Sequence, residues 1–199
     1  MADYLFRAGK YNESLEKAKQ IENEVGGIAK FPQLNVVYAY NYDRTNDSVK
    51  ARQAIEQFFA TADPASITTS QAELAAKILA RFKGSEDQAV SYIEKAMTLD
   101  TLKASKIVYM GKAAEIYGKA GKFRDQLKWL QKQLDLKGGA MGEFEYYQFT
   151  NTAFNGKDYP LTIELGKKYL AAFPDKPQPY SFLRRAAFAS DPDTSTGAA

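Results

Sequence analysis

The chain contains neither cysteine nor histidine. Without cysteine there is no disulfide, no thiolate nucleophile and no thiolate metal site. Without histidine, the commonest metal ligand and the commonest general base near neutral pH are both missing. An enzyme of this composition would have to work with carboxylates, lysine, tyrosine and serine, so the expectation is a non-enzyme with no cofactor and no metal. Long apolar runs are absent too, since nothing approaches the roughly 18 consecutive residues of a membrane-spanning helix. The opening Met1-Ala-Asp-Tyr4 lacks a basic and then apolar leader, which fits a cytoplasmic chain or a periplasmic one after loss of a signal segment. Charge of one sign is lacking as well. Lys and Arg number 27 against 24 Asp and Glu, interleaved, for a net +3, and so modest an excess does not suggest nucleic acid.

What is present is the composition of a folded chain: 45% apolar and 26% charged over 199 residues. Residues 109–136 carry the strongest pattern. Met110, Ala113, Ala114 and Tyr117 follow helical spacing, Gly121 breaks it, and Phe123, Leu127, Leu130 and Leu134 resume it. Two amphipathic helices joined by a glycine turn form a hairpin with one apolar side left to cover.

The hairpin recurs. Gly9-Lys-Tyr-Asn-Glu-Ser14 resembles Gly121-Lys-Phe-Arg-Asp-Gln126. Gly84 to Ala89, Asn46 to Ala51 and Lys157 to Thr162 occupy the same place in the series. The starts at 9, 46, 84, 121 and 157 are separated by 37, 38, 37 and 36 residues, and a fixed period in this range is the mark of stacked repeats. Ser70-Gln-Ala-Glu73 and Ser85-Glu-Asp-Gln88 read as capping boxes. Pro32 suits the first turn of a helix, and Lys137 to Gly142 is the loosest connector. A sixth unit begins with Tyr180 to Ala189 and stops. The expectation is a single array over 1–199, about five repeats of 36–38 residues plus a partial sixth, forming a segment of a longer protein.

This organisation resembles the tetratricopeptide repeat family, in its bacterial-type helical repeat proteins. The resemblance rests on Ala114 and Tyr117 in the first helix, Gly121 and Phe123 at the turn, Ala51 and Ala89 opening second helices, and Pro64 and Pro174 near repeat ends. Met110 and Asn35 depart from the usual aromatic, Gln126 and Thr162 replace a small alanine, and the period exceeds the usual of about 34. The resemblance implies an all-α fold, a right-handed α-solenoid of about eleven stacked helices. It further implies a scaffold whose first helices line a concave groove holding a protein or peptide.

On that reading the groove residues are Tyr40, Asp43, Arg44, Arg81, Phe82, Glu115, Lys119, Tyr147, Asn151, Phe154 and Arg184. Tyr, Phe and Arg are the types enriched at binding hot spots. Val36, Leu74, Ile78, Gly111, Gly118 and Phe188 step along the same face, though Leu74, Ile78 and Phe82 could instead pack between neighbouring helices. Val36 and Tyr40 stand where a carboxylate clamp would need polar groups, so no clamp is expected. Gly111 and Gly118 would leave a mid-groove depression, open to a partner backbone or filled by neighbours such as Phe82 or Tyr147. Tyr42, Ala114 and Ala153, on the opposite side, should be buried.

Weaker signals have simpler explanations. Gly118 to Lys122 lacks P-loop spacing and its Ser/Thr. Glu143 and Glu145 point apart on a helix. Asn12-Glu-Ser14 and Asn46-Asp-Ser48 match a glycosylation sequon but suit turns and caps. Trp129 reads as partly buried packing, and the lysines of the second helices as a solvated face. Two other functions stay open: a solenoid supporting a catalytic domain outside this chain, as in some cell-wall-acting enzymes, and a nucleic-acid-binding repeat, against which Asp43 and Glu115 stand. Leu5, Phe6, Phe182, Leu183 and Phe188 would lack partners at the two ends, which predicts end-to-end self-association or flanking helices.

Overall fold

The computed structural model describes residues 1–191, and among these every regular element is helical. They form two compact units, 1–101 and 102 onward. The first holds α1 (Ala2–Arg7), α2 (Tyr11–Val25), α3 (Leu34–Arg44), α4 (Ser48–Thr61), a 3-10 turn at Pro64–Ser66, α5 (Thr69–Leu79) and α6 (Glu86–Leu99). The second holds α7 (Lys103–Lys119), α8 (Phe123–Lys137), α9 (Glu143–Asn155), α10 (Tyr159–Ala172) and α11 (Pro177–Ser190). Consecutive helices pair as antiparallel hairpins, and within each unit a hairpin packs on the next in chain order. This is an α-solenoid arrangement.

The repeat period has a backbone cause. Gly9, Asn46, Gly84, Gly121 and Lys157 all sit in the left-handed region, with φ of 76°, 60°, 89°, 73° and 57°. Four of them reverse the backbone two residues after a first helix ends, and Gly84 does so five residues after α5. At four of these turns the next N–H reaches back five residues to a helix carbonyl: Lys10 to Leu5, Asp47 to Tyr42, Lys122 to Tyr117 and Asp158 to Ala153, each at 2.9–3.0 Å. Satisfying those carbonyls fixes where the second helix begins.

Cap chemistry differs in detail from the sequence expectation. The capping box of α5 is Thr68 with Gln71, not Ser70 with Glu73: the Gln71 side chain accepts from the Thr68 N–H at 2.8 Å. Ser85 is the cap residue of α6 but makes no side-chain cap bond; the buried Glu86 accepts from Gly84 N–H at 2.9 Å instead. Pro32 lies before α3 rather than in its first turn. Asp47 and Asp158 do cap their helices, accepting from Lys50 and Leu161 N–H at 3.2 Å each.

In the first unit, Ala39, Ala51, Ile55, Phe58, Ala75 and Ile78 form one buried cluster, and Ala2, Ala18, Leu34 and Tyr38 another. Full burial of Phe58 or Ile55 contributes about 1.5–3 kcal/mol each. A buried polar staple joins the first three helices. Ser14 Oγ donates to the Ala2 carbonyl at 2.8 Å and accepts from Asn41 Nδ2 at 3.0 Å. Leaving either group unpaired in the core would cost about 1–3 kcal/mol. In the second unit Ala113, Ala114 and Tyr117 of α7 and Trp129, Leu130 and Leu134 of α8 are buried. Tyr146 stacks on the fully buried Tyr169 at 5.7 Å. Gly166 lets Leu183 of α11 approach so closely that a Cβ there would lie 3.0 Å from it.

Candidate functional site

The turn residue gives every first helix a common coordinate. Three, six and ten residues before it stand Asp43, Tyr40 and Val36 in α3; for the next turn these are Arg81, just past the end of α5, and Ile78 and Leu74 within it. The same slots hold Gly118, Glu115 and Gly111 in α7, and Phe154, Asn151 and Tyr147 in α9. Thirty-seven residues on from Asn151 and Tyr147, α11 places Phe188 and Arg184. These slots lie along one stripe of each helix.

In the first unit the stripes of α3 and α5 are tied to each other. Asp43 is buried, its side chain 2% exposed, and its carboxylate faces two cations: Lys77 Nζ donates to Oδ2 at 2.6 Å, and an Arg81 guanidinium nitrogen lies 2.6 Å from Oδ1 as an ion pair without hydrogen-bond geometry. Gln33 and Gln71, one turn before Val36 and Leu74, join through their amides at 3.1 Å. Val36, Leu74 and Ile78 are buried in the core cluster, so these three belong to helix packing and not to a groove. Asp43 likewise is an internal ion-pair partner and not an open recognition group. Tyr40 is half-buried under Phe6, with ring centroids 5.6 Å apart. Burial, with Glu73 and Asp43 nearby, pushes its phenol above the ordinary value, so it acts as a neutral ring. Phe82 lies under the Arg52 guanidinium of α4 at 4.9 Å, against the core. Arg44 is exposed. Tyr42 is only half-buried, under Lys50 at 5.5 Å.

In the second unit α7 offers little recognition chemistry. Glu115 and Lys119, both exposed, pair with each other at 2.6 Å. Gly111 and Gly118 open no depression. Gln133 and Gln126 of α8 fill the space, since a Cβ on either glycine would lie 2.8 or 2.7 Å from a glutamine amide nitrogen. The occupant comes from the same hairpin, not from Phe82 or Tyr147. Gln133 uses the approach to donate to the Ile107 carbonyl at 2.8 Å.

The stripes of α9 and α11 are different. Tyr147 and Phe154 lie tilted against the buried Phe182 at 5.7 and 6.3 Å, yet Tyr147 is 43% exposed, Phe144 65% and Phe188 59%. Arg185 covers the Phe154 ring at 4.2 Å. Arg184 is exposed and forms no ion pair among the described residues, and the half-buried Asn151 amide has no hydrogen-bond partner there. At the start of the two helices Phe144, Tyr147 and Tyr169, with Glu143 and Gln178, enclose a cleft of about 510 Å³. Phe182 and Leu183, expected to be unpartnered, are packed on α9 and α10, and Phe6 is packed on Tyr11 and Tyr40. Sequence reasoning missed Lys77, Phe144 and Arg185. Lys77 stands one turn before Arg81, and Phe144 one turn before Tyr147, so the spacing could have found both. Arg185 has no such signal, because its role depends on the ring beneath it.

No protein-family description matches the sequence and no curated protein matches it. Solved structures do. The C-terminal part of a TPR repeat-containing protein from Cytophaga hutchinsonii is 23% identical, with a TM-score of 0.61, over 99% of this chain and 73% of that one. PilW, a widely conserved type IV pilus biogenesis factor, is 13% identical with a TM-score of 0.53, over 98% of this chain and 92% of its own. TPR-like repeats of a kinesin light chain from Podosopora anserina are 14% identical with a TM-score of 0.57, over 86% and 91%. Identities this low show a shared fold and leave the site to be argued from its own residues.

Proposed function

From the tetratricopeptide-repeat fold of this chain we propose a non-catalytic scaffold that holds a segment of another protein against its first helices. The observation that carries the reading is the open aromatic and arginine stripe of α9 and α11. Tyr147 and Phe188 stay 43% and 59% exposed while the helices beneath them are packed. Exposed rings grouped with arginine are uncommon on a surface that meets only water, and they are the types that anchor interfaces.

The test is a comparison of two variants in affinity capture from the source cell, read by mass spectrometry. Tyr147→Ala with Phe188→Ala removes two exposed rings and should leave the circular-dichroism melt unchanged while losing the specific partner. Lys17→Ala with Lys19→Ala, on a second helix, should lose nothing. Equal capture by both variants would show that recognition lies off the first helices.

A further inference from the structure

We infer that the α9–α11 face is the recognition surface, the α3–α5 face serving packing instead, and that its occupant is an acidic, extended protein segment. This rests on the scaffold reading and adds to it the place and the chemistry of the partner.

The place follows from what the stripe residues already touch. On α3 and α5 the polar groups of the stripe answer each other: Gln33 with Gln71, and Asp43 with Lys77 and Arg81. A partner would have to displace contacts made around a carboxylate that is 2% exposed, and unpairing a buried charge is costly. On α9 and α11 nothing has to be displaced. Among the described residues Arg184 has no counter-ion, and Arg185 covers the Phe154 ring.

The chemistry follows from charge. Residues 102–199 carry fifteen Lys and Arg against ten Asp and Glu, whereas residues 1–101 carry twelve against fourteen. At the α9–α11 face the nearest acidic side chain of the cleft, Glu143, is neutralised by Lys176 at 2.9 Å. Arg184, exposed and without an ion pair among the described residues, and Arg185, over the Phe154 ring, therefore set two guanidinium groups on this helix beside exposed rings. Their planar donors match carboxylates, which they bind as forks. The apolar part of the segment has the cleft of about 510 Å³ walled by Phe144 and Tyr147. Asn151, midway along α9, has a free amide that can donate to a main-chain carbonyl and accept from a main-chain N–H. Those two groups are open only in an extended segment, because a helix uses its own.

The experiment uses the whole chain and fluorescein-labelled probes read by polarisation at low salt. One short probe alternates Glu with Leu and Phe; a second is identical with Lys for Glu; a third is scrambled to put all the Glu at one end. The alternating acidic probe should bind at least about tenfold more tightly than the lysine probe, as expected when charge pairs form at a partly desolvated face, and its affinity should fall with added salt. Arg184→Glu, at an exposed side chain with no ion pair among the described residues, should abolish that preference without moving the melt. Arg81→Glu in the first unit should leave the preference intact in whatever fraction of the chain stays folded. The inference is overturned if the lysine probe binds as well as the acidic one, or if Arg184→Glu binds the acidic probe at full strength. It is also overturned if vesicles with phosphatidylserine, or a single-stranded oligonucleotide, bind more tightly than any peptide and lose binding in Arg184→Glu. A phage-displayed peptide selection separates this failure from that of the scaffold reading. Binders lost on Tyr147→Ala but indifferent to Arg184→Glu keep the scaffold and discard the acidic partner, whereas no binders at all discard both.

Discussion

The first helices α3 and α5 and the first helices α9 and α11 occupy matching repeat slots and differ in what those slots do. In α3 and α5 the slots ten before the turn hold Val36 and Leu74, both buried; in α9 and α11 the same slots hold Tyr147 and Arg184, both open to solvent. Three before the turn, Asp43 meets Arg81 at 2.6 Å, while Phe154 meets Phe182 at 6.3 Å and lies under Arg185. One pair of helices is closed by ion pairs and aliphatic packing, the other by ring contacts on the buried Phe182 that leave Tyr147 43% exposed. A side chain's place in the repeat therefore sets where it points, and the neighbouring helix decides whether anything is left over for a ligand.

The sharpest way to break the comparison is to strip Asp43 of its partners. Lys77→Met with Arg81→Met leaves a buried carboxylate unpaired, and losing the partners of a buried charge costs about 3–5 kcal/mol. Asp43→Asn should cost less, about 1–2 kcal/mol, because Lys77 and Arg81, 52% and 34% exposed, can turn to water. Arg184→Met in the second unit should stay within about 0.5 kcal/mol, as a change at an exposed position with no ion pair among the described residues does. Urea unfolding followed by circular dichroism reads all three. If the double variant melts with the native chain, Asp43 is solvated and the two stripes are alike.

A smaller effect separates the rings. Phe154→Ala removes a half-buried ring that touches Phe182 and Tyr159 and supports Arg185, and should cost about 2 kcal/mol, part of the penalty for a full core phenylalanine. Phe144→Ala should be nearly silent in the same titration. Equal losses for the two would place Phe144 in the core and close the cleft.

The repeat period was legible because five turn residues share one backbone conformation, and glycine or asparagine at four of them is visible in the sequence. The stripe facing away from the hairpin was also legible from helical spacing, since Ala114 and Ala153 are buried and Tyr147 and Arg184 are not. What spacing could not supply is pairing between helices. Nothing in Asp43 alone says that Lys77 and Arg81 will reach it, because that contact joins residues 34 and 38 apart. Gln126, in a slot usually small, and Gly118, a glycine inside a helix, read as separate features. They are one exchange of volume across a hairpin.

That exchange can be tested by a cycle. Gly118→Ala gains helix propensity of about 1 kcal/mol but meets the Gln126 amide, so the single change should be neutral or slightly destabilising. With Gln126→Ala added, the space opens and the double variant should exceed the native chain by about 1 kcal/mol. Coupling between the two sites is the quantity of interest, and additive values would mean that Gln126 swings away at no cost.

The turn residues allow the finest comparison, because one slot holds Asn46 in the first unit and Lys157 in the second, at φ 60° and 57°. A left-handed backbone crowds Cβ against the following carbonyl in any residue but glycine, and asparagine tolerates it better than lysine because its short side chain bonds locally. Lys157→Asn should therefore stabilise the second unit by about 0.5–1 kcal/mol, a melting rise of a few degrees. Asn46→Lys should destabilise the first unit by a similar amount. Lys157→Gly should gain less than Lys157→Asn, since glycine relieves the crowding but leaves a freer unfolded chain to order. Differential scanning calorimetry of the three variants gives the order directly. If Lys157→Asn lowers the melting temperature, the lysine side chain is making a stabilising contact in the cleft it borders with Lys122, Arg124 and Asp158, and the strain at this turn would then be held for that contact.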